Sequence, residues 1–442
     1  MIKCYLAVDI GASSGRTIVG YYQGSELVLK ETHRFSNKVK KLESGLVWDI
    51  DNLYNQIIKG LSNAFKMGYE PLSLGIDTFG VDYALLDENN NLIGNVRAYR
   101  DERGSKARKE FIKKFSEKEQ FNKTGIICLD FNTLYQLYDD YLNSKLEKAH
   151  SIVFLPNYLS YLLGAKLCNE FTIASTSGLL NNESKEYEKD YLDVLNIKRE
   201  QLLELVEPNT LIGTLSNEVI EKVGFNCQIV AVSSHDTASA VYGNNIQDDT
   251  IFLSNGTWSL LGVLSLEAIK SEKAYEANFS NEGSINGVRF LKNIMGLWIY
   301  NCLRAELDPT ADIVLLNEKI LLSNYQGTFD VNDSSLFAPK SMKEAILELL
   351  KKNNVPLPQN NIDLYYAVFA SLTLAYQKAI EELEIIVQRK YKTLTVFGGG
   401  IQNVVLKKLM LQNIKKEIIF GEIEATAIGN ILSQVNYSKI SR

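Results

Sequence analysis

The chain has 442 residues, 45% of them hydrophobic and 23% charged, and a net charge of −6. That length exceeds one ordinary core and fits about two to three domains. The acidic balance excludes a generic binder of nucleic-acid backbones, and five cysteines with no C-x-x-C spacing exclude a disulfide framework or a structural zinc site.

The opening residues Met1 to Leu6 reach Asp9 without an apolar run and cleavage site of signal-peptide kind. Tyr5 to Val8 predicts a strand, and Thr17 to Tyr22 a second. Between them lies Asp9-Ile-Gly-Ala-Ser-Ser-Gly-Arg16. Small residues let backbone N–H groups close on a phosphate, and Ser13 and Ser14 add hydroxyl donors. Asp9 at a strand end suits a magnesium ion held largely through water, and Arg16 offers a planar donor fork. The pattern is not a Walker A loop, and alone it reads more often as an ordinary turn. Leu74 to Asp77 is a further strand ending in an acid, followed by Phe79-Gly80-Val81-Asp82.

The apolar stretch Ser151 to Ala165 is broken by Pro156 and Asn157 and falls short of the roughly 20 residues of a membrane span. A soluble, cytoplasmic protein is expected. Ile229 to Val232 predicts a strand leading into Ser233-Ser234-His235-Asp236-Thr237-Ala238, before a helix-like run to Tyr242. A carboxylate at such a junction can accept the proton of an attacking hydroxyl; it can also be a plain helix N-cap.

Near residue 250 the opening pattern returns. Thr250 to Leu253 and Trp258 to Leu264 predict two strands around Ser254-Asn255-Gly256-Thr257. Two similar hairpins at domain spacing imply two related halves, divided at the polar, turn-rich segment Gly243 to Asp249. The expected domains are therefore 1–243 and 244–442. Ile362 to Lys390 predicts a long helix with its apolar stripe in the core. Lys392 to Phe397 predicts a strand, followed by Gly398-Gly399-Gly400 and a helix from about Val404. Three glycines at a strand-to-helix turn allow close approach of a flat ligand such as adenine.

Taken together, these segments resemble the FGGY carbohydrate kinases, in order and nearly end to end. The resemblance rests on Ala7 to Arg16, Gly75 to Asp82, Ala98 to Asp101, Phe131 to Leu137, Ser234 to Ala240, Gly256 to Leu260, Leu291 to Trp298 and the triple glycine with Gln402-Asn403. The Ala-Ser-Ser-Gly-Arg loop and the Lys-Asn-Ile-Met-Gly-Leu-Trp run are specific to its rhamnulokinase branch. The resemblance implies an α/β fold of two actin-like ATPase (ribonuclease-H-like) domains with a catalytic cleft between them. It implies ATP and Mg2+ as cofactors, Asp236 as the catalytic base, and Asp9 at the metal. Ala12, Ser13, Ser14, Gly15, Arg16, Thr17, Thr257 and Gly400 would bind ATP. Gly80, His235, Asp236, Thr237 and Asn293 would line the sugar site.

The implied reaction is phosphorylation of a ketose, L-rhamnulose to its 1-phosphate, with L-fuculose or a xylulose-like sugar as the alternative acceptor. A binding protein of the same fold without turnover is a third reading, opposed by the intact Asp236. A site split between two halves implies closure on its ligands, with the hinge near Gly243 to Asp249. Phe79 stands where the branch has Trp, and Asn255 where it has Ser. The end at Arg442, soon after Gly429-Asn430, implies altered packing of the last helices.

Overall fold

A computed structural model describes residues 1–440. Two six-stranded mixed sheets dominate. In the first half, β1 (Ile2–Ile10), β2 (Ser14–Gln23), β3 (Glu26–Ser36), β4 (Tyr69–Thr78), β5 (Thr210–Thr214) and β6 (Gln228–Ala231) line up as β5-β6-β4-β1-β2-β3. In the second, β7 (Thr250–Asn255), β8 (Trp258–Ser265), β9 (Phe279–Gly283), β10 (Val288–Met295), β11 (Thr393–Phe397) and β12 (Glu417–Phe420) line up as β9-β10-β8-β7-β11-β12. Five strands of each sheet repeat one plan. Three antiparallel strands (β3-β2-β1 and β10-β8-β7) are followed by two parallel ones (β4-β6 and β11-β12). The recurrence of the opening hairpin near residue 250 is thus a recurrence of five strands, with the sixth on opposite edges of the two sheets.

The central strands are apolar on both faces because helices cover both. Val8, Leu6 and Ile10 of β1 are fully buried, as are Ile251, Phe252 and Leu253 of β7. On the first sheet, α1 (Ile50–Lys66) packs Leu53, Ile57 and Leu61 inward and is capped by Asp49, whose side chain accepts from the Asn52 N–H. The long helix expected from the apolar stripe spans Asn361–Val387 and buries Leu364, Val368, Leu372, Ala379 and Leu383. It stops where Gln388 turns left-handed at φ 51°.

Two helices are exchanged between the halves. The helix Asp236–Gly243, here α2, packs Ala240 and Val241 against Phe252, Leu291 and Phe397 of the second sheet. The last helix, here α3 (Ala425–Ile440), sets Ala427, Ile431 and Val435 on Ala7 and Ile18 of the first. On its polar side Gln434 donates to the Leu6 carbonyl (2.8 Å) and Asn430 to Asp77 Oδ2 (2.6 Å). The two helices cross at glycines. A Cβ on Gly429 would lie 1.8 Å from the Ser239 carbonyl oxygen, and one on Gly243 2.2 Å from that of Ala425.

Residues 83–206 form an aromatic-rich lobe over the first sheet, with Phe111, Tyr135, Phe154, Phe171 and Tyr191 in its core. The lobe also touches the far edge of the second sheet. Asn281 N–H donates to the Gly125 carbonyl, Ile127 N–H to Ser280 Oγ and Gly283 N–H to Ser175 Oγ, at 2.9, 2.9 and 2.7 Å. The halves are therefore joined twice, at the crossed helices and at this roof, with a cleft between.

Candidate active site

The cleft holds a chamber of about 300 Å³ whose walls come from both sheets and from the lobe. Of the residues singled out from sequence, Ala12, Gly80, His235, Asp236, Thr237, Thr257 and Asn293 line it.

Asp236 sits where β6 hands over to α2. It is the first residue of the helix and not its N-cap, a place taken by His235. The preceding loop is pinned from the lobe: Ser234 N–H donates to Glu170 Oε2 (3.1 Å) and His235 N–H to Thr172 Oγ1 (3.2 Å). It is pinned from the sheet too, where Thr78 N–H donates to the Ser234 carbonyl at 2.9 Å. Asp236 Oδ1 accepts from Thr237 Oγ1 at 3.0 Å, and 31% of the side chain is open to the chamber. Because the walls displace bulk water, burial pushes its pKa above the usual carboxylate value; His235 opposes this and the nearby Asp9 adds to it.

Asp9 ends β1 in a row of charged groups set by strand register. It lies opposite Arg16 of β2 and beside Asp77 of β4. Arg16 Nη2 donates to Asp9 Oδ2 at 2.6 Å, and its Nη1 pairs with Glu424. The fork expected to meet a phosphate is thus engaged by two carboxylates, one of them from the segment leading into α3. Asp77 is buried next to Asp9. Burial and then the Asp9 charge raise its pKa well above the carboxylate range.

The Gly11–Ser14 turn is tight: Gly11 N–H donates to the Ser14 carbonyl and Asn37 N–H to the Ser13 carbonyl, both at 2.9 Å. Ser13 and Ser14 are exposed on it. Gly15 and Thr17 face elsewhere. A Cβ on Gly15 would strike the Phe35 ring at 2.2 Å, and the buried Thr17 side chain packs against Gly60 of α1.

In the second half the Asn255–Trp258 turn is held by the start of the helix Trp298–Leu307, with Leu297 N–H donating to the Gly256 carbonyl at 2.9 Å. The triple glycine packs on this turn. Gly398 has φ +89°, which a side chain would strain, and a Cβ on Gly400 would sit 2.1 Å from Asn255 Oδ1. Gly399 alone is open, and it is Gly398 and Gly399 that line the chamber. Gly400 lies behind them on Asn255.

The aromatic wall is Phe79, 4.8 Å from Trp48 and 5.6 Å from Tyr99 between ring centroids. Asp82 ties the wall together by accepting from Trp48 Nε1 (2.6 Å), the Tyr99 N–H (3.1 Å) and Gln136 Nε2 (3.1 Å). Burial lifts its pKa to about 6 despite these donors. Between Gly80 and Asp82, Val81 is held at φ +71°, an unfavourable place for a β-branched residue. Thr133 Oγ1 donates to its carbonyl at 2.7 Å, and its N–H donates to Thr176 Oγ1 at 3.1 Å. Backbone strain of this kind persists where surroundings over-determine it.

Sequence reasoning did not single out Thr176, Ser280, Glu282 or Thr426, which also line the chamber. None sits in a Gly-rich or charged motif, and only the pairing of lobe and edge strand brings the first three in. Arg100 enters by stacking on Tyr99 and on Trp298 of the second half, 5.4 and 5.0 Å from the ring centroids.

A chamber between two sheets that share a five-strand plan, with Asp236 at a helix start in its wall, defines a two-domain kinase of the actin-like class. The matches to known proteins carry this further. Residues 4–243 match the N-terminal domain, and residues 251–436 the C-terminal domain, of the FGGY family of carbohydrate kinases. The chain belongs to the FGGY family of carbohydrate kinases and is a sugar-kinase phosphotransferase. It is 38% identical to a rhamnulokinase of Oceanobacillus iheyensis over 98% of this chain and 93% of that one. It is 34% identical to a rhamnulokinase of Bacillus subtilis over 98% of this chain and 90% of that one. Its fold is similar to a ligand-bound xylulose kinase from Lactobacillus acidophilus (TM-score 0.80, 15% identity, 99% of this chain and 90% of that one). It is also similar to a glycerol kinase from Plasmodium falciparum bound to ADP (TM-score 0.77, 14% identity, 99% and 90%).

Proposed function

We propose that the chain transfers the γ-phosphoryl group of ATP to L-rhamnulose, giving the 1-phosphate, with Asp236 as the base. The observation that carries the acceptor is the run of relatives named rhamnulokinase, 34–38% identical over nearly the whole chain. The xylulose kinase likeness is at 15% identity and speaks for the fold alone. Asp236 takes the hydroxyl proton while His235, Thr237, Asn293 and the Gly80 backbone hold the sugar. ATP lies along the Ala12–Arg16 turn, Thr257 and the Gly398–Gly400 loop. Thr17 and Gly15 serve this turn from behind, through packing. Five free cysteines fit a reducing compartment, and the cytoplasm is where we place the enzyme. No helix among the described residues is long and apolar enough to cross a membrane.

A divalent ion fits this donor set in one way. Among the described residues no three His, Cys, Asp or Glu side chains cluster to cage a metal. Asp9 stands beside the phosphate turn, which suits Mg2+ held by one carboxylate, waters and phosphate oxygens. Asp9 would hold such an ion through water, and the ion would offset the phosphate charge. Asp9→Ala is expected to raise the magnesium concentration needed for half-maximal rate, read from rates across a magnesium titration. An unchanged titration would leave Asp9 as a structural partner of Arg16 only.

The test of the acceptor is ADP release over a panel of ketoses, with L-rhamnulose expected to be best. Another ketose ahead by about tenfold in kcat/KM would overturn the acceptor and leave the kinase class standing. Phe79 lines the chamber without the donor that an indole N–H would offer a sugar, and one hydrogen bond is worth about 0.5–1.5 kcal/mol. Phe79→Trp is therefore expected to sharpen discrimination between ketoses by about 2- to 10-fold on the same panel. Equal ratios in both proteins would remove residue 79 from substrate choice. We also place the division between the halves at residues 243–249, where α2 ends at the helix crossing, and expect the cleft to narrow about it on ligand binding.

A further inference from the structure

Behind the base lies a buried charge that the reaction described above does not use. Arg289 of β10 has no exposed surface. Its Nε donates to the Gly283 carbonyl at 3.0 Å, and its Nη2 lies 3.1 Å from Glu282 Oε2 and 3.0 Å from His235 Nδ1. Burial would raise the Glu282 carboxyl, but the Arg289 charge beside it opposes this, and its pKa lies below the usual value. A buried ion pair is often replaceable by apolar residues of similar volume without loss of stability. Packing alone thus gives little reason for one at this position.

The contact with His235 supplies a reason. A guanidinium has N–H donors and no acceptor. His235 Nδ1 is therefore the acceptor of the 3.0 Å contact, and the ring proton sits on Nε2. Glu282 Oε2 is also 3.4 Å from Nδ1, but a proton there would point at the nearer Arg289 Nη2–H. Nε2 in turn lies 3.4 Å from Asp236 Oδ1. That oxygen already accepts from Thr237 Oγ1. Thr237 is thus the hydrogen-bond donor to Oδ1, and the ring edge faces the same oxygen at the longer contact distance, which leaves Oδ2 on the other side. The charged groups around the ring are Asp236 from α2, Glu282 from β9 and Arg289 from β10, with Asp9 acting on Asp236 and Glu170 on Arg289.

We propose that Arg289 is a positioning residue for the reaction: it holds His235 in the Nε2–H tautomer, and through that ring holds Asp236 with Oδ2 presented to the sugar. The proposal rests on Asp236 being the base. Long-range proton–nitrogen NMR of histidine-labelled protein reads ring tautomers directly. The chain has three histidines, and the signals lost in His235→Gln assign the ring. The wild type is expected to show His235 Nδ1 without a proton. Arg289→Met combined with Glu282→Gln removes both charges together and strands neither. It is expected to mix the tautomers and to lower kcat by about 100-fold, the scale of a reacting group displaced by about 1 Å, with KM for the ketose moved much less. Arg289→Lys keeps a charged donor and is expected to restore the tautomer and most of kcat. A proton on Nδ1 in the wild type, or a double variant with wild-type kcat, overturns the proposal. Should the double variant fail to fold, the wild-type and Arg289→Lys spectra decide. The tautomer is read without turnover, so this failure is separable from that of the base assignment, which is tested by Asp236→Asn.

Discussion

Asp236→Asn is expected to lower kcat by about 100-fold or more, the range that loss of a general base spans, while KM for the ketose changes far less. Asn keeps the shape and can still accept from Thr237 Oγ1, so the chamber stays formed. What disappears is the oxygen able to take the hydroxyl proton. The raised pKa of Asp236 adds a second reading of the same group. A base works deprotonated, so kcat/KM should fall as pH is lowered through its pKa. With that pKa raised by burial, the fall begins at a higher pH than for a free carboxylate. The acid limb should vanish in Asp236→Asn. Turnover within a few-fold of the wild type would take the base role away from this residue.

The largest effect on stability is expected at the crossing of α2 and α3. Gly429→Val would place a Cβ 1.8 Å from the Ser239 carbonyl oxygen, a backbone atom that no rotamer change can move aside. The helices must separate, each lifting from the sheet of the opposite half. Overpacking of a tight core typically costs about 1–3 kcal/mol and occasionally more; with backbone on both sides, about 3 kcal/mol or above is expected, seen as a lower melting temperature or insoluble protein. Gly399→Ala is the control, because nothing lies within 4 Å of its Cβ. It should melt like the wild type and, lining the chamber, weaken nucleotide binding instead. Equal melting of Gly429→Val and wild type would mean that the helices do not meet at this glycine. Since Asp236 begins α2, activity should fall along with stability.

The expected strands were local signals, and most stand where apolar runs and turn residues predicted them. β1 ends one residue after Asp9 and β7 ends in Asn255, and each is followed by a short turn into an antiparallel partner. The long helix ends three residues short of the predicted Lys390, because Gln388 adopts a left-handed conformation that periodicity does not reveal. The position of Asp236 at a strand-to-helix junction was equally legible, since burial pattern and helix start are both written within a few neighbours. The sequence could not separate an N-cap from a free carboxylate, because that depends on which atoms the side chain meets.

The remaining features were decided by long-range packing. Arg16 was read as a phosphate fork, yet its second partner, Glu424, lies 408 positions away and reaches it only because α3 crosses to the first sheet. Three glycines in a row looked like one adenine platform; the structure divides their roles, since Gly398 and Gly400 answer to Asn255 and only Gly399 is open. Arg289 and Glu282 carried no motif at all. They meet His235 because β9 and β10 run alongside the lobe that holds residues 170–177, a contact set by sheet register and roof packing. The sequence by itself determined the two halves, their strands and the place of Asp236 at a strand-to-helix junction, because those follow from patterns a few residues long. Which groups surround that carboxylate was decided only by the tertiary structure, because a chamber between two sheets is lined by residues whose proximity no local pattern records.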